Sequence, residues 1–145
     1  FAVFDGHGGQ EAAKLSARDM MQKVREMPEY REYCSGAPSS DPALLGRAMT
    51  NAFLSVDVDL RKTLWESDER ERPDHSGCTA IAAIVTPTHI VVANCGDSRS
   101  ALAVASEDVA VAKIRVVYSS YKTEFETLYA AGGKELLEAA VFECA

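Results

Sequence analysis

The spacing of the apolar residues changes once along the chain, and this change constrains the fold more than any other feature of the sequence. Between residues 10 and 65 the apolar residues recur every three or four positions, which is typical of amphipathic helices. After residue 76 they alternate or run continuously and are rich in valine, which is typical of strands. Helices followed by a run of strands predict a layered α+β fold.

Two helices are predicted in the first half of the chain. The first begins near Gln10 and ends near Met27, because Pro28 stops it, and a loop follows. The second begins at Asp41-Pro42, where a capping carboxylate precedes a proline in the first turn, and it ends near Trp65. The predicted buried stripes are Ala13, Ala17, Met20, Val24 and Met27 in the first helix and Leu45, Ala48, Ala52, Val56 and Leu60 in the second.

Strands are predicted on both sides of this helical region. Residues 1–4 are expected to form a short buried strand that ends at the turn Asp5 to Gly9. The segments CTAIAAIV, HIVVANC, SALAVA and DVAVAKIRVVY are expected to form consecutive antiparallel strands joined by short turns. A further helix is predicted over residues 123–131, and residues 134–142 are helix-prone.

The composition excludes several classes of partner. The chain has 145 residues, of which 47% are hydrophobic and 26% charged, as expected for one globular domain. Its net charge of −7 argues against a nucleic acid or an anionic membrane as the main partner, and no apolar stretch is long enough to span a bilayer. Because the sequence begins with Phe1, we expect it to start inside a longer protein. We also expect a monomer.

The four cysteines are Cys34, Cys78, Cys95 and Cys144, and they stand singly along the chain. They form no C-x-x-C pair, and none has a histidine at the spacing of a zinc site. Isolated thiols of this kind fit a reducing compartment. We therefore expect an intracellular location, in the cytoplasm or the nucleus.

The opening stretch FDGHGG brings together residue types that could bind a cation. Asp5 supplies a carboxylate, and Gly6 has no Cβ to prevent its carbonyl from approaching the same ion. His7 could donate a proton to a leaving group. Asp-Gly is also a common turn dipeptide, so these residues taken alone favour an ordinary turn.

Two later stretches also place polar residues beside strands. NCGDSRSAL (Asn94 to Leu102) puts Asp97 in a glycine turn, for which a hairpin with a surface Asp97–Arg99 pair is the simpler interpretation. HSGCTA (His75 to Ala80) is a turn leading into a strand. Neither stretch is a catalytic signature by itself.

Together, however, the motifs F-x-V-F-D-G-H-G-G, S-G-C-T-A and N-x-G-D-S-R, with two helices between the first and the second, resemble the metal-dependent serine/threonine protein phosphatases of the PP2C type (the PPM family). The resemblance implies an α-β-β-α sandwich of two antiparallel sheets flanked by helices, incomplete in this chain. It extends more weakly to Ala130-Ala131-Gly132-Gly133-Lys134. We therefore expect residues 1–134 to be part of such a phosphatase domain and residues 135–145 to be a divergent helix-prone tail.

The resemblance also implies roles for individual residues. Asp5 would bridge two Mg²⁺ or Mn²⁺ ions, the carbonyl of Gly6 would ligate one of them, and Asp97 would match a residue of a third, weaker metal site. His7 would be the general acid for the departing serine or threonine oxygen. The substrate would be a phosphorylated protein, hydrolysed by metal-activated water, and no residue is assigned to substrate binding.

Two functional classes stay open. Intact D-G-H-G-G and G-D-S-R motifs favour a protein serine/threonine phosphatase, although a chain without the family's further metal-binding carboxylates is expected to be inactive alone. The family supplies later aspartates in D-G and D-N motifs, and after Asp97 this chain has only Asp108. Their absence favours the alternative, a catalytically inactive PP2C-like binding or regulatory module.

Overall fold

The computed structural model describes residues 1–36, 41–66, 74–104, 113–118, 127–132 and 135–143. In these residues the helices are α1 (Glu11–Glu26), α2 (Pro28–Ser35) and α3 (Ala43–Leu64). The strands are β1 (Ala2–His7), β2 (Gly77–Val85), β3 (His89–Cys95), β4 (Arg99–Val104), β5 (Lys113–Tyr118), β6 (Thr127–Gly132) and β7 (Glu135–Glu143).

Proline and aspartate set the boundaries of the helices. Met27 adopts an extended backbone (ψ 135°) before Pro28, which ends α1, and Pro28 is itself the first residue of α2. The sequence predicted a loop after Pro28, and the helix that begins there was missed. The predicted start of α3 is confirmed, because the Asp41 carboxylate accepts a hydrogen bond from the Ala43 amide (2.9 Å).

The helices pack on one face of the main sheet. Lys23 of α1 and Asp59 of α3 form an ion pair of 2.6 Å that links the two long helices. The predicted stripe of α3 is confirmed as buried at four of its five positions, Leu60 being partly buried. In α1 the buried positions are Ala12, Ser16, Met20 and Val24, so the stripe is shifted at its start relative to the prediction. The core that joins this layer to the sheet comprises Met20, Val24, Leu45, Met49, Ala52, Phe53, Val56, Ala80, Ala82, Val91 and Ala93.

The main sheet has the strand order β1-β2-β3-β7-β6 in the described residues. Its neighbours are antiparallel except for the parallel pair β3–β7. Strands β4 and β5 form a separate antiparallel pair. Ile81 and Val92 lie on the sheet face opposite the helices and contact Leu102 of β4, so the second sheet packs on that face. The α+β class is confirmed, with a helical layer, a main sheet and part of a second sheet.

Several predicted elements are corrected by this arrangement. The predicted meander is interrupted after β3, because β4 pairs with β5 in the second sheet and not with β3. Residues 127–132 form β6 where a helix was predicted; residues 123–126 lie outside the described part. Strand β1 was expected to be buried, yet Phe1 and Val3 are 91% and 60% exposed because β1 lies at the edge of the described sheet.

The helix-prone segment at the end of the chain is also a strand. Its glutamate, leucine and alanine residues favour a helix intrinsically. As β7, however, the segment lies between β3 and β6, and both neighbours pair with its backbone. Pairing on both edges outweighs a propensity of a few tenths of a kcal/mol per residue, about the usual size of this term. Residues 133 and 134, at the predicted domain boundary, lie outside the described residues, and the division at residue 134 stays a prediction.

Candidate functional site

Asp5, Gly6 and His7 lie in the last half of β1 and not in a turn, which corrects the turn interpretation of Asp-Gly. They pair with Thr79, Cys78 and Gly77 of β2, respectively. The turn itself is made by Gly8 and Gly9, whose φ angles of 67° and 149° are rarely adopted by residues with a side chain. The Asp5 carboxylate is therefore carried by a paired strand, which fixes the backbone beneath it.

The alternation of β1 separates its two faces. Phe4 packs against the core beneath the helices, and a Cβ on Gly6 would lie only 3.1 Å from Cβ of Ala13 in α1. Phe4 and Gly6 thus face the helical layer. Because successive residues of a strand point to opposite faces, Asp5 faces the side of the sheet where β4 packs. His7, at the end of the strand, instead lines a cavity whose other walls include residues of α3. Both side chains are exposed to solvent.

The hydrogen-bond pattern of β1 directs the Gly6 carbonyl outward. Phe1 and Ala83 exchange both hydrogen bonds, at 2.9 Å and 2.7 Å. In an antiparallel pair such residues alternate with residues whose N–H and C=O point away from the partner strand. Along the regular register, Asp5 therefore bonds to Thr79, whereas the carbonyl of Gly6 points to the open edge of the described sheet. That oxygen is available to a ligand.

Asp97 is brought to the same end of the sheet by a contact that the sequence did not reveal. Thr79, which opposes Asp5, shares a 2.6 Å hydrogen bond with the hydroxyl of Ser98, the residue after Asp97. Gly96 has a φ of 102°, and the buried Asn94 side chain donates a hydrogen bond to its carbonyl (3.3 Å). These contacts hold the turn that carries Asp97 beside the strand pair that carries Asp5.

His7 lies against Gly77 at the rim of a cavity of about 210 Å³. A Cβ on Gly77 would be 2.5 Å from Nε2 of His7, so the imidazole occupies the space where any other residue would place its side chain. The other residues that line the cavity include Asp57, Leu60 and Arg61 of α3 and Ala12 of α1. Gly77 was predicted in the turn before the strand but is the first residue of β2, and a glycine at that point is the signal that could have indicated this close approach.

The described residues fit a divalent metal in donor type but not in number. The Asp5 carboxylate and the outward Gly6 carbonyl are oxygen donors, which Mg²⁺ and Mn²⁺ prefer. Within the described ranges, no group of three or more His, Cys, Asp or Glu side chains is close enough to hold an ion. Asp5, Gly6 and Asp97 therefore bring oxygen donors to one end of the sheet, without a complete set of side-chain ligands among the described residues.

Comparison with known proteins identifies the family. The sequence model described as Protein phosphatase 2C matches residues 1–114. The chain belongs to the protein phosphatase 2C family. All three motifs of the sequence analysis lie inside the matched region, so the resemblance predicted from them is confirmed.

Curated relatives in the family support this assignment and show how much of them the chain covers. It is 36% identical over 139 residues to "Probable protein phosphatase 1N" of Homo sapiens, a match of 92% of this chain and 27% of that protein. It is 36% identical over 104 residues to "Protein phosphatase 2C 77" of Arabidopsis thaliana (70% and 23%) and 33% identical over 102 residues to "Protein phosphatase 1A" of Mus musculus (70% and 25%). The chain thus spans about a quarter of the length of these relatives.

Proposed function

We propose that the protein is a metal-dependent protein serine/threonine phosphatase of the PP2C family and that this chain carries part of its catalytic site. The observation that carries the proposal is the convergence of Asp5, the outward carbonyl of Gly6 and the Asp97 turn at one end of the sheet. The substrates are proteins phosphorylated on serine or threonine. The phosphatase names of the matched relatives support this class of substrate.

Each residue has a distinct role in the proposed reaction. Asp5 and the Gly6 carbonyl would hold Mg²⁺ or Mn²⁺, two ions in all, and Asp97 would contribute to a third, weaker site. The chemistry that the bound cations would supply is activation of water and neutralisation of the phosphoryl oxygens. His7, exposed at the rim of its cavity, would protonate the serine or threonine oxygen as the P–O bond breaks.

The expected setting follows from the same observations. In the described part of the chain no helix is long and apolar enough to cross a membrane. Cys34, Cys78 and Cys95 are free thiols, and Cys144 lies outside the described residues. These thiols support an intracellular protein, in the cytoplasm or the nucleus, and we propose that it acts as a monomer.

The test is hydrolysis of a phosphothreonine peptide with Mn²⁺ by the protein expressed from its full open reading frame. Asp5→Asn keeps the size of the side chain and removes its charge. We expect kcat/KM to fall at least about 100-fold, equivalent to about 2.7 kcal/mol of transition-state stabilisation. Asp19→Asn is the matched control, because Asp19 pairs with Arg18 at 2.6 Å on the exposed side of α1 and its loss should leave the rate unchanged.

One observation favours a second candidate, a PP2C-like binding module without catalysis. The described residues contain no cluster of three potential side-chain ligands. Hydrolysis by the wild type that is lost in Asp5→Asn establishes the enzyme. Equal rates for the wild type and Asp5→Asn would refute the role of Asp5, and binding of the phosphopeptide with no hydrolysis would establish the module.

A further inference from the structure

The segment that precedes β2 packs residue by residue against the turn that follows β1. The carbonyl oxygen of His75 lies 3.2 Å from the position of a Cβ on Gly8. Cβ of Ser76 lies 2.9 Å from that position on Gly9, and Nε2 of His7 lies 2.5 Å from that position on Gly77. The two stretches therefore fit each other only because glycines stand at the points of contact.

Ser76 is held in place within this contact by burial and by a hydrogen bond. Its side chain is 5% exposed, and its hydroxyl accepts a 3.1 Å hydrogen bond from the amide of Ala12, 64 residues earlier in the chain. Ala12 belongs to the first turn of α1, where amides have no acceptor within the helix, and Gln10 at the start of that helix makes no side-chain cap. Ser76 therefore caps α1 from a distant part of the chain.

The backbone of Ser76 is also hydrogen-bonded. Its amide donates to the carboxylate of Asp74 at 2.8 Å, and the amide of Asp74 donates to the carbonyl of Leu64 at 2.9 Å. A chain of hydrogen bonds thus connects the end of α3, through Asp74 and Ser76, to the start of α1.

His7 lies between the two parts that Ser76 joins. Its backbone pairs with Gly77, and it is followed by the Gly8-Gly9 turn that packs on His75 and Ser76. Among the described residues no hydrogen bond to the imidazole fixes its orientation. The direction of the ring consequently depends on the backbone on either side of it.

We propose that Ser76 is a positioning residue for His7: by joining α1 to the start of β2, its hydroxyl keeps the imidazole directed at the leaving oxygen. The inference rests on the proposed phosphatase function, in which His7 donates the proton. Displacement of a catalytic group by about 1 Å can cost on the order of 100-fold in rate. Removal of the Ser76 hydroxyl should therefore affect only the reactions that need that proton.

The test compares two substrates in the protein expressed from its full open reading frame with Mn²⁺. With a phosphothreonine peptide, the P–O bond breaks to leave an alkoxide oxygen that takes the proton from His7. With 4-nitrophenyl phosphate the phenolate departs without a proton. For Ser76→Ala we expect kcat for the peptide to fall about 10- to 100-fold and kcat for the aryl phosphate to change less than about 3-fold.

Two further variants separate positioning from a general loss of structure. Asp41→Ala removes the cap of α3, a hydrogen bond of 2.9 Å with no contact to His7, and it should leave the ratio of the two rates unchanged. His7→Gln should show the selective loss itself, and Ser76→Ala added to it should cause no further loss with the peptide. If Ser76→Ala does not fold, Ser76→Cys replaces it, because a thiol fills the space of the hydroxyl but is only a weak acceptor for the Ala12 amide, so the same selective loss is expected.

A readout that is independent of activity is hydrogen exchange over residues 5–13, which should be faster in Ser76→Ala and unchanged in Asp41→Ala. A wild type that hydrolyses neither substrate would overturn the proposed function. A selective loss in His7→Gln with an equal loss on both substrates in Ser76→Ala would overturn the positioning role alone. A selective loss in both variants, without additivity, establishes it.

Discussion

Gly96→Ala tests the contact that brings the Asp97 turn to Asp5. Gly96 has a φ of 102°, and a Cβ built on it would lie 2.8 Å from both Cβ and Cγ2 of Thr79. Thr79 cannot easily move away from the new Cβ, because its backbone pairs with Asp5 of β1 and its hydroxyl is hydrogen-bonded to Ser98. The new methyl group therefore meets a residue fixed on two sides.

The expected loss of stability combines two costs. Holding alanine at a strongly positive φ costs about 1–3 kcal/mol. Forcing a methyl group into a packed site costs about 1–3 kcal/mol more. We expect the free energy of unfolding to fall by about 2–6 kcal/mol, a large part of the stability of about 5–15 kcal/mol that is typical of a domain.

Urea unfolding of the protein expressed from its full open reading frame measures this loss, and a double-mutant cycle divides it. Thr79→Ser keeps the hydroxyl that bonds Ser98 and removes Cγ2, so it should recover at least about 0.5 kcal/mol of the Gly96→Ala loss as coupling energy. Gly6→Ala is the comparison, because its Cβ would lie at 3.1 Å and 3.2 Å from its neighbours with no left-handed φ, and it should cost less. Stability of Gly96→Ala within about 0.5 kcal/mol of the wild type would refute the close contact.

Two further predictions concern the core and the thiols. Leu45 of α3 is 1% exposed, and Leu45→Ala should lower the free energy of unfolding by about 2–5 kcal/mol in the same urea assay. A loss below about 1 kcal/mol would contradict its place in the core. Burial raises the pKa of the Cys95 thiol, so iodoacetamide at about pH 8 should label the exposed Cys34 at least about 10-fold faster than Cys95, as followed by peptide mass spectrometry. Because the pKa of Cys95 is raised in the fold, the free energy of unfolding falls as the pH rises above the ordinary value of 9.0 and through the raised pKa. Equal labelling of the two thiols would show that the partly buried Cys95 is as accessible as Cys34.

The sequence was informative wherever local chemistry decides the structure. The Asp41-Pro42 start of α3, its buried stripe and the strands β2 and β3 were predicted because caps, periodicity and β-branched runs act over a few residues. Helix α2 was missed because Pro28 both ends one helix and begins another, and proline signals both. Strands β6 and β7 were predicted as helical because local propensity does not reveal that they pair with each other and that β7 also pairs with the distant β3, and this pairing outweighs propensity.

The sequence predicted which residues could form the candidate site but not which residues hold them in place. Asp5, His7 and Asp97 could be singled out because three motifs in the same order resemble those of the PP2C family, although each motif alone favours an ordinary turn. Thr79, Ser98 and Ser76, which hold the three motifs together, look like ordinary strand and loop residues in the sequence. Their roles depend on contacts between segments up to 64 residues apart, which no local pattern encodes.

The position of Gly6 excludes the turn interpretation of the opening motif and supports the proposed cation site. Glycine weakens the interior of a strand by about 0.5–1 kcal/mol relative to alanine, so a turn would be the natural place for Asp-Gly. Here the turn is made by Gly8 and Gly9, and Gly6 stands inside β1, where no turn requires it. Two features of the structure involve Gly6 at this position. A Cβ on it would lie 3.1 Å from Cβ of Ala13, and its carbonyl is directed at the open edge beside Asp5. The first is a steric reason for glycine, and the second places an oxygen donor next to a carboxylate, an arrangement that supports the cation site proposed above.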